Sequence, residues 1–413
     1  MFDRWYANPL REKLRRPFVH VMFGARQTGK TTLLKALLPA ESLRIDLSDP
    51  AERARHLSRP GEFAAVCHAL PAGRKEQFVF VDEVQSVPSI LDAVQHLYDG
   101  DKTRWRFVLC GSSARKLRRT GANLLPGRSF LHHLYPLVLW EHPPPRPKPH
   151  TLPSLVPFGS AGEAPRSPFP AWGLEERLAY GSLPGVVAAD ARDRPDLLRG
   201  FALIHLEEEV RREALVRDWG AFLRFLQFAA VGSGQVLNYA AVSQETGVSQ
   251  PTVKAYYQLL EDMFVGFRVP AYTKSPRKSL LSTPKFLFFD LGVRHAAAGM
   301  APSPEVVRAN PGPIFEQWVG IELWKRLRYS GEGALFHQRS KDGAEVDYVV
   351  ERAGRAIPIE VKWTENPTLQ DARHLLRFLD EHPRQKAHGY VVCRCPRPLA
   401  LDERVTALPW SAL

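Results

Sequence analysis

The segment GAEVDYVVERAGRAIPIEVKW, Gly343–Trp363, sets Asp347 thirteen residues before Glu360 and Lys362 two residues after it. Two carboxylates at the ends of neighbouring strands are ligands for a hard divalent cation, and a lysine beside them can orient hydroxide formed from metal-bound water. Side chains alternate across a strand, so Glu360 and Lys362 share one face. A different chemistry is written near the other end of the chain, in GARQTGKTT. Gly24, Ala25, Arg26, Gln27, Thr28, Gly29, Lys30, Thr31 and Thr32 run through the pattern Gly-x-x-x-x-Gly-Lys-Thr. In that pattern backbone N–H groups wrap a phosphate, the lysine neutralises the β- and γ-phosphates, and the hydroxyl of Thr31 completes a magnesium shell.

A phosphate loop works only with an acidic strand beside it. QFVFVDEVQ supplies one: an apolar run ending in Asp82, suited to the magnesium–water contact, and Glu83, placed to polarise an attacking water. RWRFVLCGSS gives a further strand, with Ser112 at its tip as a γ-phosphate sensor. Arg128, in LLPGRSFLHHLYPL, precedes a last strand and is the candidate arginine finger toward a neighbouring copy. From Lys102 to Arg128 there are eight basic residues and no acidic one; Arg115, Lys116, Arg118 and Arg119 either track a nucleic-acid backbone or form a solvated helix face.

The elements that must carry these residues follow from the apolar patterning. Five strands, at Phe18–Phe23, Leu43–Leu47, before Asp82, at Phe107–Cys110 and after Arg128, alternate with helices. They describe a doubly wound α/β core over residues 1–140. Ten prolines in residues 141–170 allow little regular structure and read as a linker or extended excursion. Residues 171–300 are helical and include QVLNYAAVSQETGVSQPTVKAYYQLLED, a helix-turn-helix with its turn at TGVS, followed by the strands FVGFRVPAY and KFLFFDLG of a wing. Arg268, Lys274, Arg277, Lys278 and Lys285 meet no acid between Met263 and Phe289, so the module either reads a major groove or packs inward. In residues 301–413 the order is α-β-β-β-α-β. Glu316 sits on the first helix and Asp347, Glu360 and Lys362 on the strands, the core order of a restriction-type nuclease.

Composition bounds the rest. A chain of 413 residues with 44% hydrophobic and 24% charged residues is globular and long enough for two or three domains. It has no run of eighteen apolar residues, and MFDRWYANPLREKLRRP lacks a signal peptide's apolar centre, so no membrane and a cytoplasmic location are expected. The cysteines Cys67, Cys110, Cys393 and Cys395 read as buried thiols rather than zinc ligands or a disulfide framework. Of the net charge of +12, residues 1–140 hold +9, from 22 Lys and Arg against 13 Asp and Glu. That excess suggests a polyanionic partner, DNA or RNA, although arginine-rich composition alone also produces it.

Together GARQTGKTTLL, VFVDEVQ, GSSARKL, LLPGRSF, VSQPTVKAYYQLLEDMFVGFRVPAY, PKFLFFDLGV, FEQWVGIEL and DGAEVDYVVERAGRAIPIEVK, in this order, resemble the prokaryotic AAA-type P-loop ATPases that carry a C-terminal domain of unknown function. The resemblance implies ATP and Mg2+ as ligands, with Gly29, Lys30 and Thr31 on the nucleotide and Asp82 and Glu83 as metal ligand and base. It also implies Ser112 as sensor and Arg128 as the arginine closing the ATPase core. The C-terminal part is similar to a restriction-endonuclease-like fold with Glu316, Asp347, Glu360 and Lys362 on its motif. Three activities follow as expectations: an ATPase switching on nucleic acid, the same with an active magnesium-dependent nuclease, or a signalling ATPase whose rear half binds a protein.

Overall fold

Parallel strands buried on both faces need apolar side chains at every position, and VHVMF (β1, Val19–Phe23) and WRFVLCG (β4, Trp105–Gly111) are buried throughout. In the computed structural model these two lie side by side at the middle of a five-stranded sheet. The structure describes residues 4–71, 76–112, 125–142, 170–206, 210, 216, 218–273, 282–339, 345–383 and 387–413. Arg115, Lys116, Arg118, Arg119, Lys274, Arg277, Lys278 and most of the proline-rich stretch lie outside the described residues.

The remaining strands of the first sheet are β2 (Leu43–Asp46), β3 (Gln77–Asp82) and β5 (Ser129–His133), giving the order β2-β3-β4-β1-β5 with every pair parallel. β4 separates the strand that leads into the phosphate loop from the strand that ends in Asp82. Helices Ala7–Leu14, Lys30–Leu37, Pro50–Ser58, Glu62–His68 and Ile90–Gly100 connect or flank these strands. The unit they form spans residues 1–135 together with Asp262–Phe264. Its apolar core runs from Val19, Val21 and Phe23 through Val79, Val81 and Phe107 to Leu91 and Val94 on the Ile90–Gly100 helix.

Beside that core a chain of polar groups crosses β1 and β5. His20 Nε2 faces the Arg16 carbonyl at 3.3 Å, so it carries the proton. His20 Nδ1 therefore accepts from His132 Nε2 at 3.0 Å, and His132 Nδ1 accepts from the Tyr6 hydroxyl at 2.8 Å. Burial first, then neighbouring cations, pushes His20 down to about 4, and burial pushes His132 down to about 3.

The second unit, residues 136–261 and 265–413, contains both regions that the sequence suggested as separate domains at 171–300 and 301–413. The two regions share one apolar cluster: Leu174, Leu178, Phe267, Leu287 and Leu291 pack with Phe315, Val319, Tyr348, Ile359 and Val392. Helices Tyr239–Thr246 and Gln250–Asp262 are joined by a turn at Gly247, whose φ of 72° suits a residue without Cβ. An antiparallel ribbon follows, β6 (Gly266–Val269) and β7 (Lys285–Phe288). The long helix Pro311–Ser330 then leads into a six-stranded sheet made of β8 (Ala334–Arg339), β9 (Glu345–Arg352), β10 (Arg355–Val361), β11 (Gly389–Cys393), β12 (Leu399–Asp402) and β13 (Val405–Pro409). Its order is β12-β13-β11-β10-β9-β8, with the helix Arg373–Glu381 between β10 and β11. All four cysteines are free and buried.

The long helix is anchored by a buried ion triad. Glu322 sits 3.1 Å from Lys325 Nζ and 2.7 Å from Arg326, and also accepts the Leu139 N–H at 2.7 Å. Lys325 donates to the Leu137 carbonyl and Arg326 to the Leu413 carbonyl, so one carboxylate organises the chain at both edges of the unit. Burial alone would raise Glu322, but Lys325 and Arg326 hold it down to about 2.

Two stability effects are expected. Glu322→Ala strands two buried cations and should cost about 3–5 kcal/mol in chemical denaturation; a loss within that of ordinary surface substitutions would contradict the triad's role. His20 and His132 have folded pKa values below the unfolded value of 6.5, so their stabilisation is complete above that pH. It is lost as pH falls toward 4, because the unfolded chain takes up protons that the folded one refuses. A denaturation midpoint that drops between pH 7 and pH 5, and drops less in His132→Phe, is the expected result.

Candidate functional site

At the carboxyl edge of the five-stranded sheet, the chain leaves β1 at Gly24, where a Cβ would lie 2.3 Å from the Leu134 carbonyl oxygen. The loop reaches the helix Lys30–Leu37 through Gln27 (φ 61°) and Gly29 (φ 89°), two left-handed residues that curl it tightly. Thr28 ties the curl by donating to the Ala25 carbonyl at 2.9 Å. Lys30 is buried, and its ammonium spans the loop, donating to the Gly24 and Ala25 carbonyls at 2.9 Å each. Arg26 is half-buried, and Gln27 and Thr32 are exposed.

Across the crevice, Thr31 Oγ1 donates to Asp82 Oδ2 at 2.6 Å, and Asp82 Oδ1 accepts the Glu83 N–H at 3.1 Å. A hydroxyl and a carboxylate placed together in this way are a fitting donor pair for Mg2+. Glu83 stands in the left-handed region at φ 53°, an uncommon conformation for a side chain of its size. Its Oε2 accepts from Ser112 Oγ at 3.3 Å and from the amide of Gln85, which also donates to Ser112 Oγ at 3.0 Å. Gln85 therefore joins the expected base to the expected sensor. The structure brings Lys30, Thr31, Asp82, Glu83 and Ser112 to one edge of the sheet.

Arg128 is not among them. It precedes the first residue of β5, which pairs with Val19 at the start of β1, whereas the phosphate loop follows Phe23 at the other end. Five residues of strand, about 16 Å, lie between. Arg128 is instead ion-paired with Asp99 at 2.7 Å.

In the second unit, Asp347 on β9 and Glu360 on β10 stand at adjacent positions of paired strands. Asp347 Oδ2 accepts the Val361 N–H at 2.8 Å, and Glu360 Oε1 accepts from Lys362 Nζ at 2.6 Å, on the shared face that strand alternation requires. Glu360 Oε2 is buried without a partner. Glu316 is drawn elsewhere. Its Oε1 accepts from Lys285 Nζ at 2.9 Å, with Glu345 3.4 Å away from the same ammonium. Burial and then Asp347 push Glu316 up to about 7 against the pull of Lys285. Burial also raises Asp347 and Glu360, with Glu360 adding to the rise at Asp347 and Lys362 opposing the rise at Glu360. Lys285 would be lowered by burial, yet Glu316, Asp347 and Glu345 hold it above the ordinary lysine value. Among the described residues, no three His, Cys, Asp or Glu side chains converge closely enough to hold a metal ion. The donor types suit a divalent cation; their arrangement here does not.

Residues 16–142 match the model of an AAA domain, residues 171–303 that of a domain of unknown function (DUF8612) and residues 311–413 that of another (DUF4143). These matches support an AAA-type ATPase with a C-terminal domain of unknown function. An uncharacterized protein of Mycobacterium tuberculosis is 24% identical over 364 residues, covering 88% of this chain and 74% of that one. An uncharacterized protein of Haemophilus influenzae is 23% identical over 381 residues, covering 88% and 87%. Among solved structures, protein VC1899 from Vibrio cholerae aligns over 92% of this chain and 89% of that one at 14% identity, with a TM-score of 0.17. No described helix is long and apolar enough to cross a membrane.

Two residues of the AAA-type crevice escaped the sequence reading. Gln85 lies two positions after Glu83 in VDEVQ, a signal that was present but had no assigned task. Arg4 had none, being twenty-four residues before Thr28; its guanidinium donates to the Thr28 and Tyr135 carbonyls at 2.7 Å each and braces the loop from outside.

In the AAA-type unit, Lys30→Ala should abolish nucleotide binding, while Glu83→Gln should retain it. Gln85→Leu should keep nucleotide affinity within a few-fold and lower turnover by roughly 10- to 100-fold, since it leaves the base unoriented. Equilibrium binding of a fluorescent ATP analogue, measured beside phosphate release, separates these outcomes; loss of binding in Glu83→Gln would remove it from the role of base.

Proposed function

We propose that the protein binds Mg2+ and ATP at the loop Gly24–Thr32, hydrolyses the γ-phosphate, and couples that turnover to nucleic acid, DNA in preference to RNA. The observation that carries the first part is the grouping of Lys30, Thr31, Asp82, Glu83 and Ser112 at one sheet edge within the residues that match an AAA domain. Lys30 exchanges its two loop carbonyls for phosphate oxygens, a favourable trade because those oxygens are charged. Thr31 and Asp82 would hold Mg2+, which when bound would supply positive charge against the β- and γ-phosphates. Glu83 orients the attacking water and takes its proton, and Ser112, joined to it through Gln85, reports the state of the γ-phosphate side.

The nucleic-acid part rests on the helix Gln250–Asp262. Its apolar residues Val253, Tyr256, Tyr257, Leu259 and Leu260 face inward, leaving Gln250, Lys254 and Gln258 exposed at i, i+4 and i+8 along one stripe. Glutamine pairs in bidentate fashion with adenine and lysine reaches guanine, so this stripe has the chemistry of a major-groove reader. The ribbon contributes less charge than its sequence suggested: Arg268 is paired with Glu261, and Lys285 is buried in the acidic cluster.

Phosphate release measured with and without duplex DNA, single-stranded DNA and RNA tests the reading. Stimulation of several-fold that declines as salt rises is expected, and Lys254→Ala should weaken DNA affinity by roughly 5- to 10-fold. Turnover that ignores every nucleic acid, with no binding by gel shift, would move the partner from nucleic acid to protein and leave the ATPase standing.

A further inference from the structure

Lys285 is the residue whose placement departs furthest from expectation. Its side chain is only 4% exposed. An ammonium there has exchanged its hydration for protein oxygens, which is tolerable only if carboxylates surround it. Glu316 Oε1 at 2.9 Å and Glu345 Oε1 at 3.4 Å supply two, and the ring of Tyr348 lies 5.8 Å away. Tyr348 is itself fixed, its hydroxyl donating to the Glu316 carbonyl at 3.1 Å. The ammonium thus arrives from β7 into a cluster otherwise built by the helix Pro311–Ser330 and strands β9 and β10.

The rest of the cluster is engaged in part. Lys362 occupies Glu360 Oε1, and the Val361 N–H occupies Asp347 Oδ2. Hard divalent cations of the Mg2+ and Ca2+ type require six or more oxygens at about 2.0–2.6 Å. Here Glu316 and Glu345 turn toward an ammonium, and the unpartnered Glu360 Oε2 is left over.

We propose that Lys285 is the resident cation of the C-terminal acidic cluster: from β7 it engages Glu316 and Glu345, so that Glu316 is not free to share a divalent ion with Asp347, and thereby closes the cluster to free metal. The cluster keeps nuclease-like strand order while its charge is balanced by the chain itself, and the ribbon and the C-terminal sheet are joined through that balance. This inference stands apart from the ATPase reading, because no residue of the nucleotide crevice enters it.

The test is Mn2+ titration of the full-length, nucleotide-free protein, followed by electron paramagnetic resonance and by thermal unfolding. Wild type and Asp347→Asn should give superimposable curves up to about 1 mM Mn2+; their difference removes any ion held at Asp82. Lys285→Met should gain one Mn2+ site at least roughly tenfold tighter than wild type, with Mn2+ raising its unfolding temperature. Asp347→Asn should abolish the gain. A wild-type site below about 100 µM that Asp347→Asn removes overturns the proposal without any Lys285 variant. So does a folded Lys285→Met that gains no Mn2+.

Discussion

A lysine ammonium withdrawn from water must be given oxygens in return, and three positions in this chain meet that demand in three ways. Lys325 is met by Glu322 and a main-chain carbonyl, Lys285 by Glu316 and Glu345, and Lys30 by two carbonyls of its own loop. The first two have charged partners and form closed ion pairs. Lys30 has only neutral partners. A carbonyl dipole compensates a buried charge less fully than a carboxylate or phosphate does, so the one incompletely compensated lysine of the three is the one at the phosphate loop. That difference is what separates a structural cation from one available to a ligand.

The same contrast governs the two acidic groupings. Asp82 is bonded to a hydroxyl and to a backbone N–H, neutral groups that water or a metal ion can replace at small cost. Glu316 is bonded to an ammonium, and displacing it would leave a buried charge uncompensated. The two sites therefore differ in the charge already spent on their carboxylates, although both present Asp and Glu at strand ends. Residue type alone predicts a metal for each; residue type together with its partners predicts one for the first.

What could be read along the chain and what could not divides along sequence distance. The loop Gly24–Thr32 and the strand ending at Asp82 depend on neighbours within a dozen residues, and both were legible. The order α-β-β-β-α-β read for 301–413 left out the helix Pro304–Ala309 and the strands β12 and β13. Gln85 was adjacent to a known motif but acquires meaning only when β3 and β4 pair and bring Ser112 to it. Arg4 and Lys285 act across 24 and 31 residues through folded geometry that no periodicity encodes. Arg128 precedes β5 as the sequence indicated, at the edge of the sheet remote from its own phosphate loop. That residues 171–300 and 301–413 share apolar packing was not legible either: turns and prolines mark where chain direction changes, not which apolar faces meet, and Phe267, Leu287 and Phe315 meet in one core.

Lys285 also bears on why these two regions are one unit. A shared apolar cluster holds elements together without fixing their register closely, because apolar contacts are non-directional. An ion pair of 2.9 Å between β7 and the long helix is directional, and so is the Tyr348 hydroxyl bond that fixes the backbone at Glu316. The same helix carries Glu322 two turns further on, where it is pinned to Leu139 and, through Arg326, to the last residue of the chain. The helix Pro311–Ser330 is thus registered by one buried ion pair near its start and a triad nearer its end, with apolar packing between. Hydrophobic burial supplies most of the cohesion of such a unit. The buried charges, which contribute little net stability, select one arrangement of the helix against ribbon and sheet from the many that apolar packing alone would tolerate.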